Sequence, residues 1–367
     1  MKKLTVSIVP CSFAGYSGLG FHRTILEDSI RTSAFKEAIF KVVKKGDIVV
    51  DLGAGTGILS FFAALAGAKR IYAIEHTPIL KIAKYIARDN RIDNKIVFLK
   101  SDSRLTHIPE KVDVIVSDCI GYYVLGGSMI SAVADIRDRF LKKDGSVIPR
   151  TLSMYLVPIE SFSHHRYINY WSNSLYGIRF SSIQQIANNT LYLTTFNKGN
   201  IICPPQNIYN INLSREFPNE TMNIKADFQI SQSRYMHGLC GWFNVELCKG
   251  VNFNTSPRHK TTAWKQIFFP LEEEILVKKG NIVRVSLTFK RTYNDSCSCF
   301  DWSTTVIGTK GKKKRAVKRQ STIISQSLGQ KVNCGKNICD INQDGKERNA
   351  EFTKHLLAQL HKKRNIH

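Results

Sequence analysis

The chain has 367 residues, with 53 Lys and Arg against 29 Asp and Glu and a formal net charge of +24. Hydrophobic residues at 43% and charged residues at 22% exclude wholesale disorder, and the length allows about two domains with their own cores. No apolar run reaches the ~18 residues that span a bilayer, and the stretch Leu4 to Pro10 is too short and Pro-ended for a secretion signal, so no membrane association is expected. Nine scattered cysteines form no dense disulfide framework, which fits a reducing, cytoplasmic compartment (nuclear as well, in a eukaryote). The charge suggests a polyanionic partner or a bias against basic substrates. Residues 306–367 carry +11 and residues 1–305 carry +13, so a sixth of the chain holds nearly half the excess.

In chain order, apolar residues from Ile25 to Val43 recur at about 3.6 residues and predict a helix over 23–45, ended by Gly46-Asp47. Ile48 to Leu52 reads as a buried strand, followed by Gly53-Ala-Gly55-Thr-Gly57 and a helix from Ile58 to Ala66. Strands follow at Ile71–Ile74, Ile96–Leu99 and Val112–Val116, with helices over 78–89 and 131–141. This alternation predicts an α/β unit with a mainly parallel sheet. After Pro149 the texture becomes strand-like, at Leu152–Val157, Met222–Ile230, Leu239–Leu247, Trp264–Phe269 and Ile282–Phe289, which predicts an antiparallel β domain. Residues 163–200 read as an inserted arm, and order beyond 306 is doubtful except for an amphipathic helix near 351–363.

The run Asp51-x-Gly53-x-Gly55-x-Gly57 between strand and helix is a nucleotide-loop pattern, and Glu75, 24 residues after Asp51, is an acid placed to accept from ribose hydroxyls. The third glycine of the dinucleotide fingerprint is missing, so a nucleoside without a pyrophosphate is favoured.

DLGAGTGILSFFAALAGA from Asp51 to Ala68, with IYAIE ending at Glu75, resembles the class I S-adenosylmethionine-dependent methyltransferases. Within them the chain is most similar to the protein arginine methyltransferase family, through the stretch Tyr16 to Thr32, RDRFLKKDGSVIP (Arg137–Pro149), HGLCGWFNVEL (His237–Leu247) and TAWKQIFFP (Thr262–Pro270). The resemblance implies an N-terminal helical lid over residues 1–45 and a Rossmann-like domain over 46–150. It further implies a β-barrel over 151–305 with a dimerising arm at 163–200, and leaves a basic tail over 306–367. Position by position it implies that Arg31 binds the cofactor carboxylate and Glu75 the ribose. Gly53 and Gly55 lie under the methionine portion, with Asp51 and Gly57 in the same loop. Tyr16 and His22 close the site, and Asp102 and Ser103 lie beside the adenine. It implies S-adenosyl-L-methionine as cofactor, a protein substrate and a homodimer.

The chain departs from the family at the acceptor loop. Two glutamates are expected there to clamp a guanidinium through charge-assisted hydrogen bonds. Their positions hold Asp118 and Gly127, and the family's Thr-His-Trp triplet is Thr262-Ala263-Trp264. Asp118 remains a candidate catalytic acid, with Tyr122 shaping the pocket. The loss leaves two alternatives: a catalytically impaired binding partner, or a methyltransferase for a non-arginine or nucleic-acid-associated substrate. In this respect the chain resembles divergent bacterial relatives of the family.

Lys310 to Arg319 holds seven basic residues in ten and no acid, the composition of a phosphate-contacting segment, a nuclear address or a solvated loop. Asp340 to Glu351 fits a calcium-loop pattern, but Glu347 stands at its aliphatic position and Lys346 and Arg348 lie within it, so a polar, helix-leading loop is favoured. Cys297, Cys299, Cys334 and Cys339 lack common zinc spacings, and no metal site is assigned.

Overall fold

The computed structural model describes residues 7–8, 18–121, 123–124, 129–216, 221–291, 298–308, 314–316 and 320–321. Tyr16, Tyr122, Gly127, the calcium-like loop and the helix expected near 351–363 lie outside the described residues, as do Lys310 to Lys313 and Lys318-Arg319.

The single helix expected over 23–45 is two, Leu19–Glu27 and Ser29–Val42. The break is at Asp28, whose carboxylate accepts from the Arg31 N–H and caps the second helix. Phe35, Ala38 and Ile39 line its buried face. Strands β2 (Ile48–Leu52), β3 (Arg70–Ile74), β4 (Ile96–Leu99), β5 (Val112–Val116) and β6 (Leu141–Ile148) form a parallel sheet in the order β4-β3-β2-β5-β6. The order reverses between β2 and β5, and in such sheets ligands bind outside the carboxyl ends of the strands at that point. Strand β6 was not expected. Lys142-Lys143-Asp144-Gly145 obscures it, and as an edge strand it tolerates those exposed charges.

From strand β7 (Thr151–Ile159) onward the sheets are antiparallel, as expected. One joins Tyr192–Thr194, Gln266–Val277, Arg234–Cys248, β7 and Gln206–Asn212 in that order, with Val251–Asn254 beside Arg234–Cys248. Its first strand is β1 (Ser7–Ile8), paired with Tyr192–Thr194, so part of the region read as the cofactor lid is built into the second domain. The other sheet runs Thr221–Gln229, Ile282–Arg291, Ser298–Ile307 and Lys314–Ala316, with Gln320–Ser321 also on Ser298–Ile307. Two short segments beyond 306 therefore join the fold. The expected arm contains a helix at Phe162–Ile168, a short hairpin and a helix at Ser181–Asn188, and it exposes Tyr167, Tyr170, Tyr176 and Ile178.

Side chains bolt the two domains together beside the sheet's carboxyl edge. Tyr123 is buried and its hydroxyl donates to the Tyr155 carbonyl at 2.9 Å. Its ring fills the space left by Gly241, where a Cβ would come within 2.7 Å. The Trp264 indole N–H donates to the Ile120 carbonyl at 2.8 Å. No helix among the described residues is long and apolar enough to cross a membrane.

Candidate active site

The glycine loop follows β2 at the carboxyl edge of the parallel sheet. The N–H groups of Gly53 and Ala54 both donate to the Ile74 carbonyl, at 2.9 and 3.0 Å, which ties the loop to the end of β3. Glu75 follows directly. Its Oε2 accepts from the Gly55 N–H at 3.1 Å and its Oε1 from the Thr77 N–H at 2.8 Å. Oε1 also faces His76 Nδ1 at 3.5 Å, while Oε2 keeps a further lone pair, so the clamp leaves acceptor capacity for a hydroxyl. Gly55 has φ +54°, and a Cβ there would lie 2.9 Å from His22 Cε1. The glycine is required both by its conformation and by the close approach of His22. A Cβ at Gly53 would overlap the Cys119 sulfur. Gly57, at φ +91°, begins the helix Ile58–Ala66.

Asp51 is 1% exposed, and its Oδ2 accepts from both the N–H and the hydroxyl of Ser60. Burial pushes its carboxyl up to about 6. This carboxylate fastens the first turn of the helix to the strand, so it shapes the loop from beneath.

Across the cleft, Arg31 is 3% exposed. Its Nη1 donates to the Ile25 carbonyl at 2.8 Å, its Nη2 pairs with Asp118 Oδ2, and its guanidinium carbon lies 5.8 Å from the Trp264 ring centre. Burial lowers its pKa to about 10, and the Asp28 charge works against that shift, so it remains a cation at neutral pH. Between Asp118 and the glycine loop sits Cys119, exposed to the cleft, with its sulfur 3.7 Å from the Leu52 carbonyl. Protein packed around that cleft and the Glu75 charge push its thiol up to about 12, so it stays protonated.

Asp102 and Ser103 begin the short turn after β4. Asp102 caps that turn and pairs with Arg104 at 2.9 Å, and the Arg104 hydrogen bond holds its carboxyl below the usual range. The structure therefore brings His22, Arg31, Asp51, Gly53, Gly55, Gly57, Glu75 and Asp118 together around one cleft. Asp102 and Ser103 sit at its side, because Glu75 donates its N–H to the Leu99 carbonyl at 3.0 Å, a few residues before that turn.

Sequence reasoning missed four contributors, Asp28, Ser60, Cys119 and Trp264. Asp28 Oδ2 accepts from the Ala263 N–H at 2.7 Å, so one carboxylate both caps the Arg31 helix and latches it to the second domain. An Asp three residues before Arg31 at a helix start was a visible capping signal. The long-range latch had none.

His165, His237 and Glu274 form a second cluster, their ligand-type atoms within 4.8 Å of one another. The Ser161 N–H donates to His237 Nδ1 at 3.1 Å, which places the imidazole proton on Nε2, facing Glu274 Oε2 at 3.3 Å. A nitrogen carrying that proton cannot ligate a metal, so His237 is read as a hydrogen-bonded side chain between Ser161 and Glu274, with His165 packed against its ring.

Comparison with known proteins gives a consistent picture. Residues 150–302 match the model of the arginine methyltransferase oligomerization subdomain, and residues 31–149 that of ribosomal protein L11 methyltransferase. Protein arginine N-methyltransferase 1 of Chlamydomonas reinhardtii is 33% identical over 286 residues, covering 76% of this chain and 83% of the relative. Protein arginine N-methyltransferase 8-B of Danio rerio is 32% identical over 296 residues, covering 77% and 69%. Among solved structures, the Arabidopsis thaliana protein arginine methyltransferase 10, described as uniquely open, superposes with a TM-score of 0.75 at 25% identity, covering 84% of this chain and 99% of that one. The Trypanosoma brucei enzyme-prozyme heterotetrameric complex with AdoHcy gives the same TM-score and coverage at 24% identity, a likeness of fold.

Proposed function

The chain belongs to the protein arginine methyltransferase family, and from that membership we propose that it transfers a methyl group from S-adenosylmethionine to an arginine nitrogen of a protein substrate. The observation that carries the proposal is the cleft in which Glu75 clamps the Gly55 backbone while buried Arg31 faces it. The residues fit the cofactor. A glycine loop where a Cβ would strike Cys119 or His22, a strand-end carboxylate with acceptor capacity left on Oε2 and a buried cation match its methionine portion, its ribose and its carboxylate in turn. Arg31 binds that carboxylate, Glu75 the ribose, and Asp102 with Ser103 the adenine edge. Asp51 and Gly57 keep the loop in shape and His22 closes over it, a role that the family resemblance also gives to Tyr16.

The bound sulfonium supplies an electrophilic methyl carbon. The protein's work is then to position the acceptor nitrogen in line and to take its proton. Asp118, at the end of β5, is the carboxylate placed for both tasks, and the family resemblance alone gives Tyr122 a part in shaping the pocket. Asp118 is paired with Arg31. A bound cofactor carboxylate would compete with it for that guanidinium and would leave Asp118 free for the acceptor. The exposed aromatic arm supports assembly as a homodimer, the five free thiols among the described residues suit a reducing, cytoplasmic setting, and Lys310 to Arg319 is a candidate phosphate-contacting segment.

Calorimetric titration with S-adenosylhomocysteine tests the site. Binding by the wild type and its loss in Gly55→Arg are expected, while a chain blind to the ligand overturns the proposal.

A further inference from the structure

The turn that carries Trp264 borders the mouth of the cleft. It touches the helix cap through Ala263 N–H to Asp28 at 2.7 Å and the acceptor loop through Trp264 to the Ile120 carbonyl. The loop that leads into it from Val251–Asn254 exposes Arg258, His259 and Lys260, and Lys265 follows Trp264 half-buried. The loop is held in place. The Arg258 N–H donates to Ser256 Oγ at 3.2 Å, the His259 N–H to the Ser256 carbonyl at 3.0 Å, and Gln266 Nε2 to the Thr255 carbonyl at 2.6 Å. Arg258, Lys260 and Lys265 form no ion pair among the described residues.

Among the described residues, the carboxylates at this mouth are engaged. Asp118 is paired with Arg31, Asp28 accepts two backbone N–H groups, and Glu27 is paired with Arg23 at 2.6 Å. The position of the second family glutamate is Gly127. A polypeptide that delivers a side chain to Asp118 thus runs past uncompensated positive charge and meets no free acid among the described residues.

We propose that this face selects protein acceptors whose methylated residue is flanked by acidic side chains. The inference rests on the proposed function and names its substrate class. Cations in a cleft mouth attract acidic segments, speed their encounter and penalise Arg-rich ones, and the effect is screened by salt. The two or three cations of one loop suit a short acidic peptide. A nucleic-acid strand would call for a longer run of phosphate contacts.

The test uses the full chain saturated with S-adenosylhomocysteine and three fluorescent peptides of equal length with one central arginine, flanked by Asp/Glu, by Gly/Ser or by Lys/Arg. Anisotropy should rank them acidic, neutral, basic, with roughly tenfold between the extremes at low salt and a smaller gap at high salt. Arg258→Gln/Lys260→Gln should flatten the ranking and Arg258→Glu/Lys260→Glu should invert it. Since these side chains are exposed, both variants should fold, which thermal unfolding checks. Equal or tighter binding of the basic peptide by the wild type, or a ranking unmoved by charge reversal, overturns the inference. So does a single-stranded oligonucleotide that binds more tightly than the acidic peptide and is lost in the reversed variant. Methyl transfer is read separately. A persistent ranking with no transfer to any protein sinks the proposed function and leaves this inference standing, whereas transfer to basic peptides alone does the reverse.

Discussion

The guanidinium of Arg31 is ion-paired with the carboxylate of Asp118 and lies 5.8 Å from the ring centre of Trp264, at the junction of the two domains. The pair joins the residue assigned to the cofactor with the residue assigned to the acceptor, so the two half-sites share one charge. Asp118→Ala frees Arg31 for the cofactor carboxylate. S-adenosylhomocysteine affinity should stay the same or rise, while turnover falls by roughly 10²-fold or more, as for loss of a positioned proton acceptor. Calorimetry and a single-turnover methylation assay read the two effects. Weakened cofactor binding with unchanged turnover would reverse the assignment.

Glu75 holds two backbone N–H groups as well as the proposed ribose site. Glu75→Ala should therefore abolish measurable cofactor binding, and Glu75→Gln should weaken it less, because an amide oxygen still accepts from one of those donors. Calorimetry on both variants checks the order. Equal loss in the two would mean that the negative charge matters more than the clamp.

Asp28 is a helix cap and an interdomain latch in one side chain. Asp28→Ala should cost about 1–2 kcal/mol of stability, measured by denaturant unfolding. It should also raise the cofactor Kd, because Arg31 is on the helix that loosens. An unchanged Kd in a destabilised variant would separate the latch from the site.

Burial between Ser161 Oγ at 2.7 Å and Thr194 Oγ1 at 2.8 Å depresses His164 from the ordinary 6.5 to about 4. Between those values the unfolded chain binds a proton that the fold does not. The contribution of His164 is thus complete above about pH 6.5 and is lost as the pH falls through 4, to the extent of about 3 kcal/mol. Asp51 works in the opposite direction, since its raised pKa makes the fold bind the extra proton between 3.8 and about 6. The comparison of wild type with His164→Gln isolates the histidine. The wild type should lose roughly 5 °C more in Tm between pH 7 and 4.5 than the variant. Parallel profiles would place the histidine's titration elsewhere.

The parallel sheet, the glycine loop and Glu75 were legible in the sequence because each imposes a local demand. Buried strands demand apolar runs such as Ile48-Val49-Val50, and a loop under a ligand demands glycines at fixed spacing. Strand β6 was hidden because an edge strand need not be apolar. The pairing of Ser7–Ile8 with Tyr192–Thr194, the Asp28 latch and the Arg31–Asp118 pair join residues far apart in the chain, and no spacing encodes such contacts. Asp51 shows a subtler gap. Its place in the motif was plain, but its bond to Ser60, which makes it a structural clamp, appears only once the helix has turned back over the strand.

The most direct test of the central claim is transfer of a labelled methyl group from S-adenosylmethionine to proteins in a cell lysate, followed by acid hydrolysis and identification of the modified amino acid. Labelled methylarginine formed by the wild type and absent with Glu75→Ala is the expected result. No protein label, or label confined to another residue or to nucleic acid, would contradict it.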